Sequence, residues 1–222
     1  MQRALDVFFS GLALIFLAPF LLPIAVILRF TGEGEIFYRQ QRVGLGGEHF
    51  GLLKFATMLK NSPSIGSGTI TVKGDPRILP FGHFLRKTKI NELPQILNIF
   101  LGDMSVVGPR PMVPGTFEKY GESRHEIAKI RPGLTGVGSI IFRDEEDFLA
   151  AQDDAQAVYF DEIVPYKVKL ELWYLEHASL VLYIKLIVLT AWVVLFPGST
   201  LHKRWLSGIP PMPPSLAALA ES

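Results

Sequence analysis

Apolar residues gather in two blocks of this chain, and the stretch between them is punctuated by glycine, proline and charge. The first block, Val7 to Leu28, carries no charged residue; Arg3 and Asp6 precede it and Arg29 follows. About 22 residues at about 1.5 Å each give roughly 33 Å as a helix, enough to cross a hydrocarbon core. The run is too long for a signal-peptide core, and no small-x-small site closes it before Arg29, so a retained membrane segment is expected. Pro19 and Pro23 each lack a donor and crowd the preceding turn, which predicts a kink near Ala18 to Leu22. A kinked spanning helix and a re-entrant hairpin both fit. In the hairpin, Arg3 and Arg29 return to the same anionic leaflet.

The second block lies inside Val164 to Phe196, which reads as one or two helices. Lys167, Lys169, Glu171, Glu176 and His177 make its first half amphipathic. Ala178 to Phe196 is apolar except for Ser179, Lys185 and Thr190. A lysine at a bilayer centre costs about 2.5–3.5 kcal/mol on insertion scales. A helix lying at the interface, anchored by Trp173 and Trp192, is therefore favoured over a second span. The tail Ile209 to Pro214 is proline-rich and predicts extended, irregular chain.

Between the blocks the pattern shortens. Ile36 to Gly44 predicts a strand ending in a glycine turn, and Phe50 to Met58 a second strand containing Lys54. Asn61 to Gly68 is rich in Ser, Gly and Pro and predicts a flexible loop. Leu93, Ile96, Leu97 and Phe100 share one helical face, and Pro94 is tolerable only in a first turn, so a helix is expected to start near Thr88 to Glu92. Such a start leaves amide groups facing outward, where they attract phosphate. Asn91 as a cap and Glu92 as a first-turn acid explain the same residues without a ligand. Arg143 to Asp147 reads as a solvated charge run.

Composition narrows the classes. The chain has 222 residues, room for one core plus appendages, and a net charge of only +1, so nothing points to nucleic acid as a partner. Cysteine is absent, which removes disulfides, thiolate zinc sites and thiol nucleophiles. No Walker loop, G-x-G-x-x-G or zinc-spaced histidine pair occurs. The mean hydropathy of +0.30 is high for a purely soluble enzyme.

Candidate chemistry concentrates between Asp75 and Pro111. Asp75-Pro76-Arg77, Leu85 to Gln95 and Gly102 to Pro111 bring acids, bases, amides and proline turns into one window. That mixture suits a site that grips phosphate and metal together. In Gly108-Pro109-Arg110-Pro111 a guanidinium stands between two prolines. Arginine takes phosphate oxygens in a two-pronged fashion, and a stiff loop lowers the ordering cost. An exposed turn arginine is the plain alternative. Arg131-Pro132-Gly133-Leu134-Thr135-Gly136 is similar.

The ordered set of these motifs resembles the bacterial sugar transferase family, the small monotopic phosphoglycosyl transferases. The likeness covers nearly the whole chain: the proline-bearing hydrophobic N-terminus, Arg42-Val43-Gly44, Lys54-Phe55 with Thr57-Met58, Asp75-Pro76-Arg77, Glu92-Leu93-Pro94-Gln95, Gly102-Asp103-Met104-Ser105, Gly108 to Pro111 and Arg131 to Gly136. The resemblance implies a small α/β (α+β) domain with a re-entrant membrane helix and amphipathic interfacial helices, a monotopic arrangement on the cytoplasmic face of the bacterial inner membrane. It implies divisions at 1–30 for the membrane hairpin, 31–165 for the catalytic domain and 166–222 for the interfacial helices and tail. The implied reaction moves a sugar-1-phosphate from a nucleotide-sugar donor, usually a UDP-sugar, to polyprenyl (undecaprenyl) phosphate. UMP is released and Mg²⁺ is required. Membrane lipids are further partners, and a homo-oligomer stays open.

Two positions depart from the family pattern. The usual Asp-Glu dyad is Asn91-Glu92, and Lys-Phe-Arg-Thr-Met becomes Lys54-Phe55-Ala56-Thr57-Met58. In the family the aspartate attacks phosphorus and forms a covalent intermediate, which a neutral amide cannot do as drawn. Direct attack by the acceptor, Glu92 in the nucleophile's role, a trapping substitution and a binding-only relative are the readings this leaves. The expected site comprises Asn91 and Glu92 as the catalytic pair, Glu92 as the metal ligand, and Lys54, Arg86, Arg110 and Arg131 as phosphate-binding residues.

Overall fold

The computed structural model describes residues 1–65, 75–196, 198–206 and 208–221. The elements are α1 (Gln2–Phe30), β1 (Phe37–Val43), β2 (His49–Phe55), α2 (Pro80–Lys87), α3 (Gln95–Leu101), β3 (Ser105–Val107), α4 (Pro114–Glu118), α5 (Ser123–Ile127), β4 (Gly133–Thr135), α6 (Val137–Ile141), α7 (Glu145–Ala150), α8 (Ala155–Val158), α9 (Val164–His177), α10 (Leu180–Leu195), α11 (Leu201–Trp205) and α12 (Ala217–Glu221). Helix dominates, and the strands form two separate two-stranded sheets, β1–β2 and β3–β4. The expected mixture of helix and sheet is present, with less sheet than a layered α/β domain carries. The chain divides into two compact units. One holds Arg3–Gln41 and Gly51–Gly102; the other holds Arg42–Phe50 and the chain from Asp103 onward.

In the first unit α1 runs without interruption through Pro19 and Pro23. It is the one helix among the described residues long and apolar enough to cross a membrane. Both of its ends are tied to the same unit. Arg3 donates to the carbonyls of Ile99 and Phe100 at 2.6 and 3.0 Å, which satisfies two acceptors at the end of α3. At the other end Leu28 is buried with Phe55 and Leu85, and Leu21, Ile24 and Ala25 pack alongside. Between those ends Ile15, Phe16 and Phe20 are exposed.

β1 and β2 fall on the two expected strands, but β2 stops at Phe55 rather than Met58. The Thr57 carbonyl accepts the Leu79 amide at 2.9 Å, and Met58 forms a bridge with Ile78, so the chain has already left the hairpin. A Cβ on Gly82 would stand 2.2 Å from the Thr57 oxygen, so α2 reaches this turn only with glycine there. Of the predicted loop from Asn61, the described part turns tightly through Ser62–Ser64; the remainder lies outside the described residues.

The helix expected near Thr88 to Glu92 begins later. Ile90–Glu92 is a single 3-10 turn entered through Lys89 at φ 57°, and α3 starts at Gln95 after Pro94. The amides expected to face outward are spent locally: Glu92 donates to Lys89, Leu93 to Ile90, Ile96 to Leu93 and Leu97 to Pro94.

In the second unit β3 and β4 pair in parallel, Ser105 with Gly133 and Val107 with Thr135. Met112, Tyr120, Ile127 and Val164 form one buried cluster. The predicted C-terminal helix is two helices, broken at Ala178 and restarted by Ser179, whose hydroxyl accepts the Leu182 amide at 3.2 Å. One face of α10 (Leu182, Leu186, Leu189, Val193) is buried, while Val181, Ile184, Val188 and Leu195 are exposed. Sixteen residues span about 24 Å, shorter than a hydrocarbon core of about 30 Å. The proline tail is irregular as expected, yet pinned, because the Tyr166 hydroxyl donates to the Pro210 carbonyl at 2.9 Å.

Candidate active site

The first unit brings Lys54 and Glu92 together. Lys54 lies on β2 and Glu92 closes the 3-10 turn before α3. Asn98 fixes one against the other: its side-chain oxygen accepts the Leu53 amide and its amide group donates to the Gly51 carbonyl, both at 2.9 Å. With strand and helix clamped, Lys54 Nζ stands 3.3 Å from Glu92 Oε1, both side chains partly open at 19% and 27% exposure. Asn91 is buried, and its Oδ1 has no hydrogen-bond partner among the described residues. An unpaired buried amide oxygen costs about 1–3 kcal/mol, and functional sites are where such costs persist. Arg86, in the last turn of α2, rests its Nη1 3.9 Å from Met58 Sδ.

Asp75 and Arg77 serve the fold. Arg77 grips Asp75 at 2.5 and 2.8 Å and donates to the carbonyls of Ser62 and Ile65 at 2.7 and 2.9 Å; both residues are buried. That set of bonds holds the preceding turn and leaves little of either head group for a ligand.

Arg110 and Arg131 belong to the second unit. The loop carrying Arg110 is braced from two sides. Gly108 donates to Thr135 at 2.9 Å, and Gly133 donates to Pro109 at 2.8 Å. A Cβ on Gly108 would stand 2.4 Å from the Arg131 carbonyl, so the two motifs meet backbone to backbone. Arg110 itself is exposed beside the buried Pro109 and Pro111.

Beneath this loop lies a polar cluster that the sequence reading placed on a solvated face. Lys167 and Glu171 are only 5% and 3% exposed. Lys167 pairs with Glu145 at 2.5 Å and stands over the Phe142 and Tyr159 rings. Glu145 thereby leaves the predicted solvated run. Burial pushes the Lys167 ammonium down, opposed by Glu145. Burial, helped by Glu145, pushes the Tyr159 hydroxyl up to about 12. Burial also pushes the Glu171 carboxyl up to about 7, against the pull of the Arg110 amide and of Lys167. The available signal was spacing: Lys167, Glu171 and Tyr174 fall at i, i+4 and i+7, one stripe beside Val164 and Leu170.

The donors near Glu92 suit a hard cation. Mg²⁺ takes one or two carboxylates and fills its shell with water and substrate phosphate. Glu92 supplies the carboxylate, and the neighbouring Asn91 Oδ1 is an oxygen without another partner. Among the described residues no group of three or more His, Asp or Glu converges, so the protein side of such a shell is small.

Residues 1–197 match the family of bacterial sugar transferases. The chain belongs to the bacterial sugar transferase family. It is an enzyme of the phosphoglycosyl transferase kind. It is 37% identical to the exopolysaccharide production protein ExoY of Sinorhizobium fredii over 161 residues, 66% of this chain and 71% of that protein. It is 34% identical to the UDP-glucose:undecaprenyl-phosphate glucose-1-phosphate transferase of Klebsiella pneumoniae, covering 85% of this chain and 39% of the relative. It is 32% identical to the undecaprenyl-phosphate galactose phosphotransferase of Salmonella typhimurium, covering 88% and 40%. The chain thus spans about two fifths of these two longer transferases.

Proposed function

We propose that this sugar transferase moves a sugar-1-phosphate from a UDP-sugar to undecaprenyl phosphate, releasing UMP, on the cytoplasmic face of the inner membrane. The Lys54–Glu92 pair beside Asn91 is the observation that carries the reading. Phosphoryl transfer needs positioning and charge neutralisation more than covalent help from the protein. Lys54 and Arg86 neutralise donor oxygens in the first unit. Arg110, exposed on its braced loop, offers a bidentate grip on phosphate, with Arg131 as a second cation of that unit. Glu92, with Asn91 Oδ1, would hold Mg²⁺, which would supply further neutralisation of the diphosphate.

The acceptor phosphate is already anionic and needs no general base. Its oxygen forms a bond to the sugar-bearing phosphorus as the bond from that phosphorus to the bridging oxygen breaks, and UMP leaves with the bridging oxygen. Asn91 is a poor nucleophile, which favours this single displacement over a covalent enzyme intermediate. It also supports a second reading, a catalytically impaired or binding-only relative, which predicts donor binding without UMP release.

The re-entrant reading of α1 draws support from its ends. A helix that leaves its domain to cross a bilayer holds one end away from it, whereas here Arg3 and Leu28 both meet the first unit. The exposed apolar residues between them suit lipid. The apolar open face of α10 suits the membrane interface for the same reason.

UMP release measured in detergent or nanodiscs with undecaprenyl phosphate, UDP-glucose or UDP-galactose, and Mg²⁺ tests the proposal. Release that requires both substrates and stops with EDTA is expected. Donor binding without UMP would establish the binding-only reading, and ping-pong kinetics or a phospho-sugar adduct would overturn direct transfer.

A further inference from the structure

The buried Glu171 is unused by the transfer chemistry and sits directly under the loop that carries Arg110. Its Oε1 accepts the Arg110 backbone amide at 3.4 Å, while Oε2 is buried with no hydrogen-bond partner among the described residues. The space for this contact exists because residue 138 is glycine: a Cβ there would stand 2.8 Å from Glu171 Oε1. Lys167, one turn earlier on α9, is committed to Glu145. Glu171 is therefore held in place by packing and by one loop amide.

We propose that Glu171 is a positioning residue for Arg110, holding the Pro109-Arg110-Pro111 segment from inside so that the guanidinium is presented to phosphate. Three features support this role. A carboxylate is the one acceptor that strengthens both the amide contact and the attraction for the Arg110 side chain. The loop has prolines on both sides of Arg110, so the Arg110 amide is the only backbone donor those three residues offer. A helix-borne acceptor is also more rigid than a loop-borne one.

The position has a consequence for pH. The charged groups acting on Glu171 are Lys167 from its own helix and Arg110 from the loop; Tyr120 faces it as a third titratable group, and α6 presents the uncharged Gly138. Burial holds the carboxyl near neutrality, so the loop is gripped more firmly above about pH 7 than below it.

The proposal rests on Arg110 being a phosphate-gripping residue, and the experiment separates the two. Donor KM and kcat are measured by UMP release from pH 6 to 8.5 for the full chain and for Arg110→Lys, Glu171→Gln and Gly138→Ala. The expected result for Glu171→Gln is a donor KM raised about tenfold at pH 8 with kcat changed less than threefold, and loss of the part of the KM-pH profile centred near 7. Gly138→Ala, which displaces Oε1 and leaves the carboxyl in place, is expected to raise KM in the same direction. Should Glu171→Gln fail to fold, Gly138→Ala alone decides. An unchanged KM for Arg110→Lys overturns the phosphate reading. A raised KM for Arg110→Lys beside a wild-type KM and pH profile for the Glu171 and Gly138 variants overturns the positioning role.

Discussion

Besides the surface pairs Lys60–Glu35 and Lys129–Glu126, each unit of this molecule contains a lysine–glutamate pair drawn away from solvent, and the two lysines of those pairs have different surroundings. Lys54 and Glu92 stand 3.3 Å apart with both side chains partly open to solvent. Lys167 and Glu145 stand 2.5 Å apart, the lysine nearly sealed and stacked over two aromatic rings. The same two residue types thus make a partly open pair in one place and a pair with a sealed lysine in the other. The open pair gains little in stability, because water screens it and either partner can be solvated alone. It can be rearranged by an incoming phosphate or cation at small cost. The lysine of the second pair is cut off from water, so loss of its carboxylate would leave a buried charge without its ion-pair partner.

The sharpest test of the comparison removes one carboxylate from each pair. Glu92→Gln is expected to lower UMP release about a thousandfold or more, about 4 kcal/mol in barrier, while moving the unfolding free energy by no more than about 0.5 kcal/mol. Glu145→Gln is expected to do the reverse in kind, costing about 3 kcal/mol of stability by leaving Lys167 buried without its partner. Urea unfolding followed by tryptophan fluorescence, run beside the UMP assay, checks both. A Glu92→Gln enzyme with near-normal turnover would remove that residue from the chemistry. A Glu145→Gln protein as stable as the parent would show that the sealed pair is no tie.

These contrasts also show what sequence could and could not reveal. The family was legible from the ordered set of motifs around Lys54, Glu92 and Arg110. The long apolar N-terminus followed from length and the two strands from their composition, while the choice between one and two C-terminal helices was left for the structure. The start of α3 was misplaced because Ile90 to Leu93 makes 3-10 contacts that satisfy amides one residue at a time. Periodicity cannot distinguish that turn from a helix. Asp75 and Arg77 looked like ligand groups because nothing local announces that each is the other's partner. Lys167 and Glu171 looked solvated because charge at helical spacing is the mark of an outer face; their burial depends on Gly138, Phe142 and the Arg110 loop, all distant in sequence.

The third expectation concerns pH and stability. The folded carboxyl of Glu171 titrates near 7, above its ordinary value of 4.5, so the folded state keeps its proton longer than the unfolded chain. The stability this group contributes is therefore complete below about pH 4.5 and is lost as pH rises toward 7. Glu171→Gln cannot titrate, so the wild-type-minus-variant stability difference should slope downward between pH 4.5 and 7 and be flat above. A difference that is flat throughout would show that Glu171 holds no extra proton in the fold.

The smallest expected effect returns to the open pair from its other side. Lys54→Met removes the cation and keeps the length of the stem. If Lys54 neutralises donor phosphate, the variant should raise the donor KM about tenfold, about 1.4 kcal/mol, and leave the unfolding free energy within about 0.5 kcal/mol of the parent. If Lys54 instead serves only to hold Glu92, the loss should appear in kcat and in the Mg²⁺ concentration needed for half-maximal rate, with the donor KM unchanged. The two outcomes separate a phosphate contact from a carboxylate brace, because only the first interaction is made with the substrate in its ground state. Lys54→Arg sharpens the test. A guanidinium restores charge but spreads it over a fork, so rescue of KM by arginine would mean that charge near the phosphate suffices, whereas failure would mean that the compact ammonium 3.3 Å from Glu92 sets the geometry of the pair.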